Sequence, residues 1–198
     1  MKIDSSSVLM DIIKSRRTIR KYKDKQIPSK LINNIIEAGR WAPSAHNLQP
    51  WEFTVITSGK LIKSIQAIML KKEKELLAGF NIVMKETAKC LNTAKVVILV
   101  YSDGSVKNKF VRFDEPYTTI GNLYEIQSVC FAISNMMLYT HAAGIGCAFL
   151  GIASFCDKEI NVLLNQNRNL VALLSLGFPN ESGLTSRRKS ILEIAEFL

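Results

Sequence analysis

Apolar residues at Val8, Ile12 and Ile13 open a short helix, and a polar run over residues 14–25 follows it. After a turn at Pro28, Ser29 is placed to N-cap a second helix. Its apolar positions, Leu31, Ile32, Ile35, Ile36 and Gly39, recur at helical spacing, and it should stop before Pro43. Residues 42–51 hold two prolines among polar residues and read as an ordered loop, whereas residues 52–57 alternate like a strand. Residues 61–70 and about 73–91 read as helical, with a break at Gly79. Residues 96–101 form a β-branched run expected as a buried strand, and residues 103–118 read as irregular.

Residues 126–156 contain no Asp, Glu, Lys or Arg, a run longer than the roughly 20 residues a membrane-spanning helix needs. Gln127, Ser128, Ser134, Asn135 and His141 interrupt it, and Gly144 and Gly146 break it, so a helix buried in protein is the better expectation. From about residue 123 to 143 one stripe carries Ile126, Val129, Cys130, Ile133, Met137 and Thr140. Phe131, Ala132, Met136 and Leu138 cover the other side, and a helix apolar all round must be buried all round. Gly144 should end it, residues 147–149 should form a strand, Asp157 should cap a short helix, and residues 170–178 should form another strand. Few strands among several helices, without regular βα alternation, point to an α+β layered fold.

A chain of 198 residues without a linker or repeat is expected to form one domain over residues 1–198. The net charge of +9 suits nucleic acid, an anionic membrane surface or a phosphorylated small ligand, and does not choose among them. Lys71, Lys72 and Lys74 mix with acidic neighbours as a solvated helix face, but Arg16, Arg17 and Arg20, and Arg187, Arg188 and Lys189, are more compact. The four cysteines sit in apolar contexts without C-x-x-C spacing. Those cysteines lead to the expectation of a reduced cytoplasmic setting, and residues 1–11 lack a basic region followed by an apolar core, so no signal peptide is expected. His46 and His141 are far apart and lack ligands at metal spacing, so no metal is expected.

Gly144, Gly146 and Gly151 match neither a dinucleotide fingerprint nor a P-loop. No nucleophile and base can be paired by spacing, so no catalytic side chain is expected and a cofactor would carry the chemistry. The run Arg16-Arg17-Thr18-Ile19-Arg20 offers three guanidinium groups and a hydroxyl, which suits a phosphate, although taken alone the run reads better as a solvated basic loop. The run from Ala42 to Trp51 can present amide, hydroxyl and backbone groups to the edge of a planar heterocycle, or serve as a rigid polar turn.

Together these segments resemble the nitroreductase family, which carries Arg-Arg-Ser-x-Arg near its N-terminus and then Ala-Pro-Ser-x-x-Asn-x-Gln-Pro-Trp. Gly144-Ile145-Gly146 resembles the family's Gly-Leu-Gly, Leu176-Gly177-Phe178-Pro179 its Leu-Gly-Tyr-Pro, and Arg188-Lys189-Ser190-Ile191 its Arg-Lys-Pro-Leu. Thr18, Phe178, Ser190 and Ile191 depart from the family pattern. The resemblance implies a three-layer α+β fold, a small mixed or antiparallel sheet flanked by helices, and an intertwined homodimer with no nucleic-acid or membrane partner. It implies noncovalent FMN, with Arg16, Thr18 and Arg188 near its phosphate and Arg17 either helping or facing solvent. Arg20 would lie at the N1 edge of the ring, Pro43, Ser44, Ala45 and Asn47 along its pyrimidine side, and Leu150 and Gly151 near N5; His46 would either touch the ring or fill the loop. NAD(P)H would deliver hydride in a ping-pong cycle to a small acceptor such as a nitroaromatic or quinone. The alternatives within the fold are a dehalogenase or a flavin-consuming enzyme; outside it stands a basic nucleic-acid or membrane-surface protein.

Overall fold

The computed structural model describes residues 4–111, 113 and 115–198. Helix α1 (Ser5–Ser15) and helix α2 (Ser29–Arg40) precede strand β1 (Trp51–Ile56). Helices α3 (Gly59–Glu73) and α4 (Phe80–Lys89) lead to strand β2 (Val96–Ser102), and helix α5 (Ser105–Phe110) to the long helix α6 (Tyr117–Ala142). Strand β3 (Gly146–Leu150), helix α7 (Asp157–Leu164) and strand β4 (Asn169–Gly177) complete the frame.

All four strands pair antiparallel in the order β1-β2-β4-β3. The near-continuous apolar run of β2 follows from burial on both faces. Val97, Leu99 and Tyr101 face a core shared with α3, α4 and α7, whereas Val96, Ile98 and Val100 face a core shared with α2 and α6. The expected three-layer arrangement is present, with the sheet as its middle layer.

Several boundaries differ from the sequence expectation. Pro28, not Ser29, is the N-cap of α2, and no side chain caps that end. Asp157 is the first residue of α7 rather than its cap; its carboxylate instead accepts from Asn161 Nδ2 and the Leu170 amide. The second helical run starts at Phe80 and not near residue 73, because α3 continues to Glu73 and Gly79 takes φ +92° between the two helices. Residues 103–118 are not irregular throughout: α5 forms within them and α6 begins at Tyr117, while Arg112 and Asp114 lie outside the described residues. The reason is Glu125, whose buried carboxylate accepts the amides of Gly104, Val106 and Lys107 at 2.8 to 3.0 Å and so satisfies the free N–H groups that open α5.

Helix α6 is not buried on all sides within its own chain. Val129, Ala132, Ile133 and Met136 enter the core, but Leu123, Tyr124, Ile126, Cys130 and Phe131 lie exposed on the outer face. Cys130 is therefore the one cysteine outside an apolar interior. Gly144 closes the helix at φ +71°, as its position suggested. No helix among the described residues is long and apolar enough to cross a membrane.

Candidate functional site

The arginine-rich run lies extended across the end of the sheet. Ile19 donates its amide to the Cys147 carbonyl of β3 at 3.0 Å, Lys23 donates to Phe178 at 2.8 Å, and Tyr22 bridges Pro179. The buried Tyr22 hydroxyl lies 2.8 Å from Ser175 Oγ and 2.6 Å from the Ile19 carbonyl, and burial drives its acidity far below that of a free phenol. Two motif glycines allow this close approach: a Cβ at Gly177 would fall 2.5 Å from Tyr22 Cβ, and one at Gly146 would fall 2.8 Å from Ile19 Cγ2. The Glu181 carboxylate completes the clamp by accepting the amides of Arg20 at 2.6 Å and Lys21 at 3.2 Å.

Extended backbone sends successive side chains to opposite sides. Thr18 and Arg20 line a cavity of about 530 Å³ together with Glu86, Lys89, Asn92 and Glu181. Arg17 lines a different cavity, of about 210 Å³, beside Ser15, His141 and Gly144. Its guanidinium donates to the carbonyls of Lys14 and Arg16. His141 Nε2 sits 2.8 Å from Ser15 Oγ, and desolvation followed by the charges of Arg16 and Arg17 lowers the imidazole pKa.

Arg16 is half-buried, and its Nη1 is shut away from solvent without a hydrogen-bond partner among the described residues. A buried guanidinium nitrogen left unpaired is costly unless an anion completes it. The residues present thus fit a phosphate-bearing group. Arg188, by contrast, is exposed on the tail, where it donates to Ser186 and to the Arg187 carbonyl, so the fold of a single chain does not join the two clusters.

The second motif forms a strained loop after α2. His46, Asn47 and Gln49 all take positive φ, 52°, 54° and 51°, a region that costs a non-glycine residue about 1–3 kcal/mol when held there. Hydrogen bonds impose it: Ser44 Oγ accepts the Gln49 amide at 2.9 Å, and Ser128 Oγ on α6 accepts the Ala45 amide at 3.1 Å. His46 does not fill the loop but stands exposed at its tip. Pro43 and Asn47 line a cavity of about 420 Å³ with Arg40, Trp41 and Gln49. The arginine-rich run and this loop open onto separate cavities of the chain. Leu150 ends β3 with its side chain in the core, and Gly151 begins the short turn that follows.

Glu86 and Lys89 were not singled out by the sequence. They pair at 2.5 Å one turn apart near the end of α4, indistinguishable in sequence from an ordinary surface pair. Only the packing of α4 brings them to the wall that Arg20 shares.

Comparison with known proteins is consistent with this geometry. A Bacillus subtilis protein provisionally named an NAD(P)H nitroreductase is 28% identical over 196 residues, spanning 96% of this chain and 94% of its own. An iodotyrosine deiodinase of Thermotoga neapolitana is 24% identical and spans 88% of this chain and 90% of its own. A provisionally named nitroreductase of Desulfovibrio desulfuricans, solved in complex with FMN, superposes with a TM-score of 0.73 at 25% identity and covers 96% of both chains. The nitroreductase family model matches residues 13–178, and the chain belongs to that family.

Proposed function

We propose that this chain is an FMN-dependent oxidoreductase that uses NAD(P)H to reduce nitroaromatic, quinone or related small organic acceptors, and that it works as a homodimer. The observation that carries the proposal is the buried, unpartnered Nη1 of Arg16 on a segment clamped beside Thr18 and Arg20. FMN, when bound, supplies the two-electron chemistry, accepting hydride from NAD(P)H and passing electrons to the acceptor.

Arg16 and Thr18 hold the phosphate, joined by Arg188 of the tail, and Arg17 stays outside that shell because it faces the other cavity. Arg20 sets a cation at the pyrimidine edge of the ring, where preorganised positive charge favours the electron-rich form. Glu181 holds its backbone amide and so fixes the point from which the side chain reaches the cavity. Pro43, Ser44, Ala45 and Asn47 bind along the ring from a loop whose strain fixes its amides, and the backbone of Leu150 and Gly151 lies toward N5. Because the run and the loop open onto separate cavities of one chain, the two halves of the site are completed across two copies.

Reductive dehalogenation is the second reading, favoured by the similarity to the Thermotoga deiodinase over nearly the whole chain. Purified protein is expected to be yellow and to release FMN on heating. It should oxidise NAD(P)H in the presence of nitroaromatic or quinone acceptors. Colourless protein that fails to quench the fluorescence of added FMN would overturn the proposal, and turnover with halogenated phenols alone would favour the second reading.

A further inference from the structure

Trp41 lies at the C-terminal end of α2, immediately before the loop, and is 74% exposed. A large aromatic ring left in water at such a position is fixed here by specific contacts. The Glu37 carboxylate accepts the Trp41 indole N–H at 2.7 Å and grips Arg40 through Nε at 2.8 Å and Nη2 at 2.6 Å. The Arg40 guanidinium sits over the indole, 5.3 Å from the ring centroid. One carboxylate therefore orients both planar groups. The guanidinium lies against the ring system, and Nη1 makes no hydrogen bond among the described residues.

This plate borders the cavity of about 420 Å³ that Pro43 and Asn47 also line. The volume lies within the range of small-molecule sites, and the cavity is continuous with the loop assigned above to the flavin ring. Glu37 and Arg40 cancel in charge, so the surface offers little to a bare anion. It suits a flat, uncharged heteroaromatic ring that can stack on the indole, with a nearby phosphate for the remaining guanidinium N–H groups.

We propose that Glu37, Arg40 and Trp41 form a stacking subsite for the adenine end of the nicotinamide dinucleotide donor. The proposal rests on the oxidoreductase reading and deepens it by naming where the donor is gripped away from its reacting ring. Trp41 provides the stacking face, Arg40 its backing and a donor to the diphosphate, and Glu37 acts as a positioning residue through both. Preorganisation matters because a ring already held in place loses little freedom when the donor arrives.

The test compares two donors on the FMN-saturated protein: the full dinucleotide, and reduced nicotinamide mononucleotide, which lacks the adenosine. Trp41→Ala is expected to raise KM for the dinucleotide about tenfold, equivalent to about 1.4 kcal/mol. KM for the mononucleotide and kcat for both donors should stay at wild-type values, and Trp41→Phe should restore most of the lost affinity. Equal changes for the two donors, or none, would overturn the subsite. ADP-ribose binding, followed by calorimetry, gives a readout independent of turnover: saturable binding to the wild type that Trp41→Ala abolishes supports the proposal. No binding by the wild type, with Trp41→Ala instead weakening self-association, would assign the ring to contact with a second copy and overturn it. Protein that binds ADP-ribose at Trp41 but oxidises neither donor would count against the oxidoreductase reading alone.

Discussion

Ile19 is buried and donates to Cys147, and that one backbone bond decides how the flanking side chains divide. Thr18 and Arg20 reach the larger cavity, whereas Arg17 turns to the side of Ser15 and His141. The division separates two kinds of work. A phosphate keeps its charge in both redox states, so loss of Arg16 weakens FMN binding in both; a cation at the ring edge contributes more as negative charge grows there. Arg16→Ala is expected to raise the FMN dissociation constant by roughly 10- to 100-fold, in line with the ~1.5–3 kcal/mol of a hydrogen bond to a charged group. Arg20→Ala, saturated with FMN, should instead slow anaerobic hydride transfer by an amount corresponding to ~2–4 kcal/mol. Stopped-flow reduction at the wild-type rate by Arg20→Ala would remove it from the ring edge. At this scale the motifs announced which segments matter, because runs of arginine and a doubly proline-bound loop are unusual locally. They could not announce the side on which Arg17 falls, which depends on pairing with a strand some 130 residues away, nor the arrival of Glu86 and Lys89, which depends on helix packing.

Helix periodicity located α1 and α2, an uncharged apolar run located α6, alternation located β1 and a β-branched run located β2. The same logic failed at α5, a helix of six residues with too few turns to show a period. Its existence depends on Glu125, the last charged residue before the long uncharged run and one whose role is invisible without the fold. Three backbone amides converge on that carboxylate at depth, so no cheaper partner replaces it. Glu125→Ala is expected to destabilise the protein by ~3 kcal/mol, since each orphaned donor costs ~1–3 kcal/mol and water recovers part of the loss. For a domain of this size that is a fall in Tm of roughly 6–12 °C. Hydrogen exchange should quicken first in residues 104–110, and a uniform rise across the sheet would contradict the assignment of Glu125 to α5.

At the scale of the whole molecule, the α+β layering followed from the count and spacing of elements, but the strand order did not, because antiparallel pairs between distant segments leave no local trace. The apolar character of α6 was legible, as was the need to bury all of it, and a single chain leaves its outer face uncovered. Among the described residues the outer face keeps Leu123, Ile126 and Phe131 exposed, and α1, which buries no residue, leaves Val8, Leu9, Met10 and Ile13 exposed. Helix α1 meets the C-terminal end of α6, where Ser15 contacts His141, and the tail leaves Leu184, Leu192 and Phe197 exposed as well. A surface of this kind on a lone chain is unfavourable, and permanent homodimers commonly bury more than about 2,000 Å² of such surface. Its occupant is therefore proposed to be a second copy, whose α6 lies against this one and brings its loop toward the Arg20 cavity. Light scattering at micromolar concentration should give about twice the 22.2 kDa of the chain. Phe131→Asp places a charge in the middle of the buried patch without touching the arginine-rich run, so it should shift the protein toward monomer and release FMN in parallel. Cys130, on the same face, should resist alkylation in the wild type and become reactive in that variant. A wild-type species of about 22 kDa that still holds FMN would show that one chain completes the site, and the division of the flavin contacts between two copies would then be wrong.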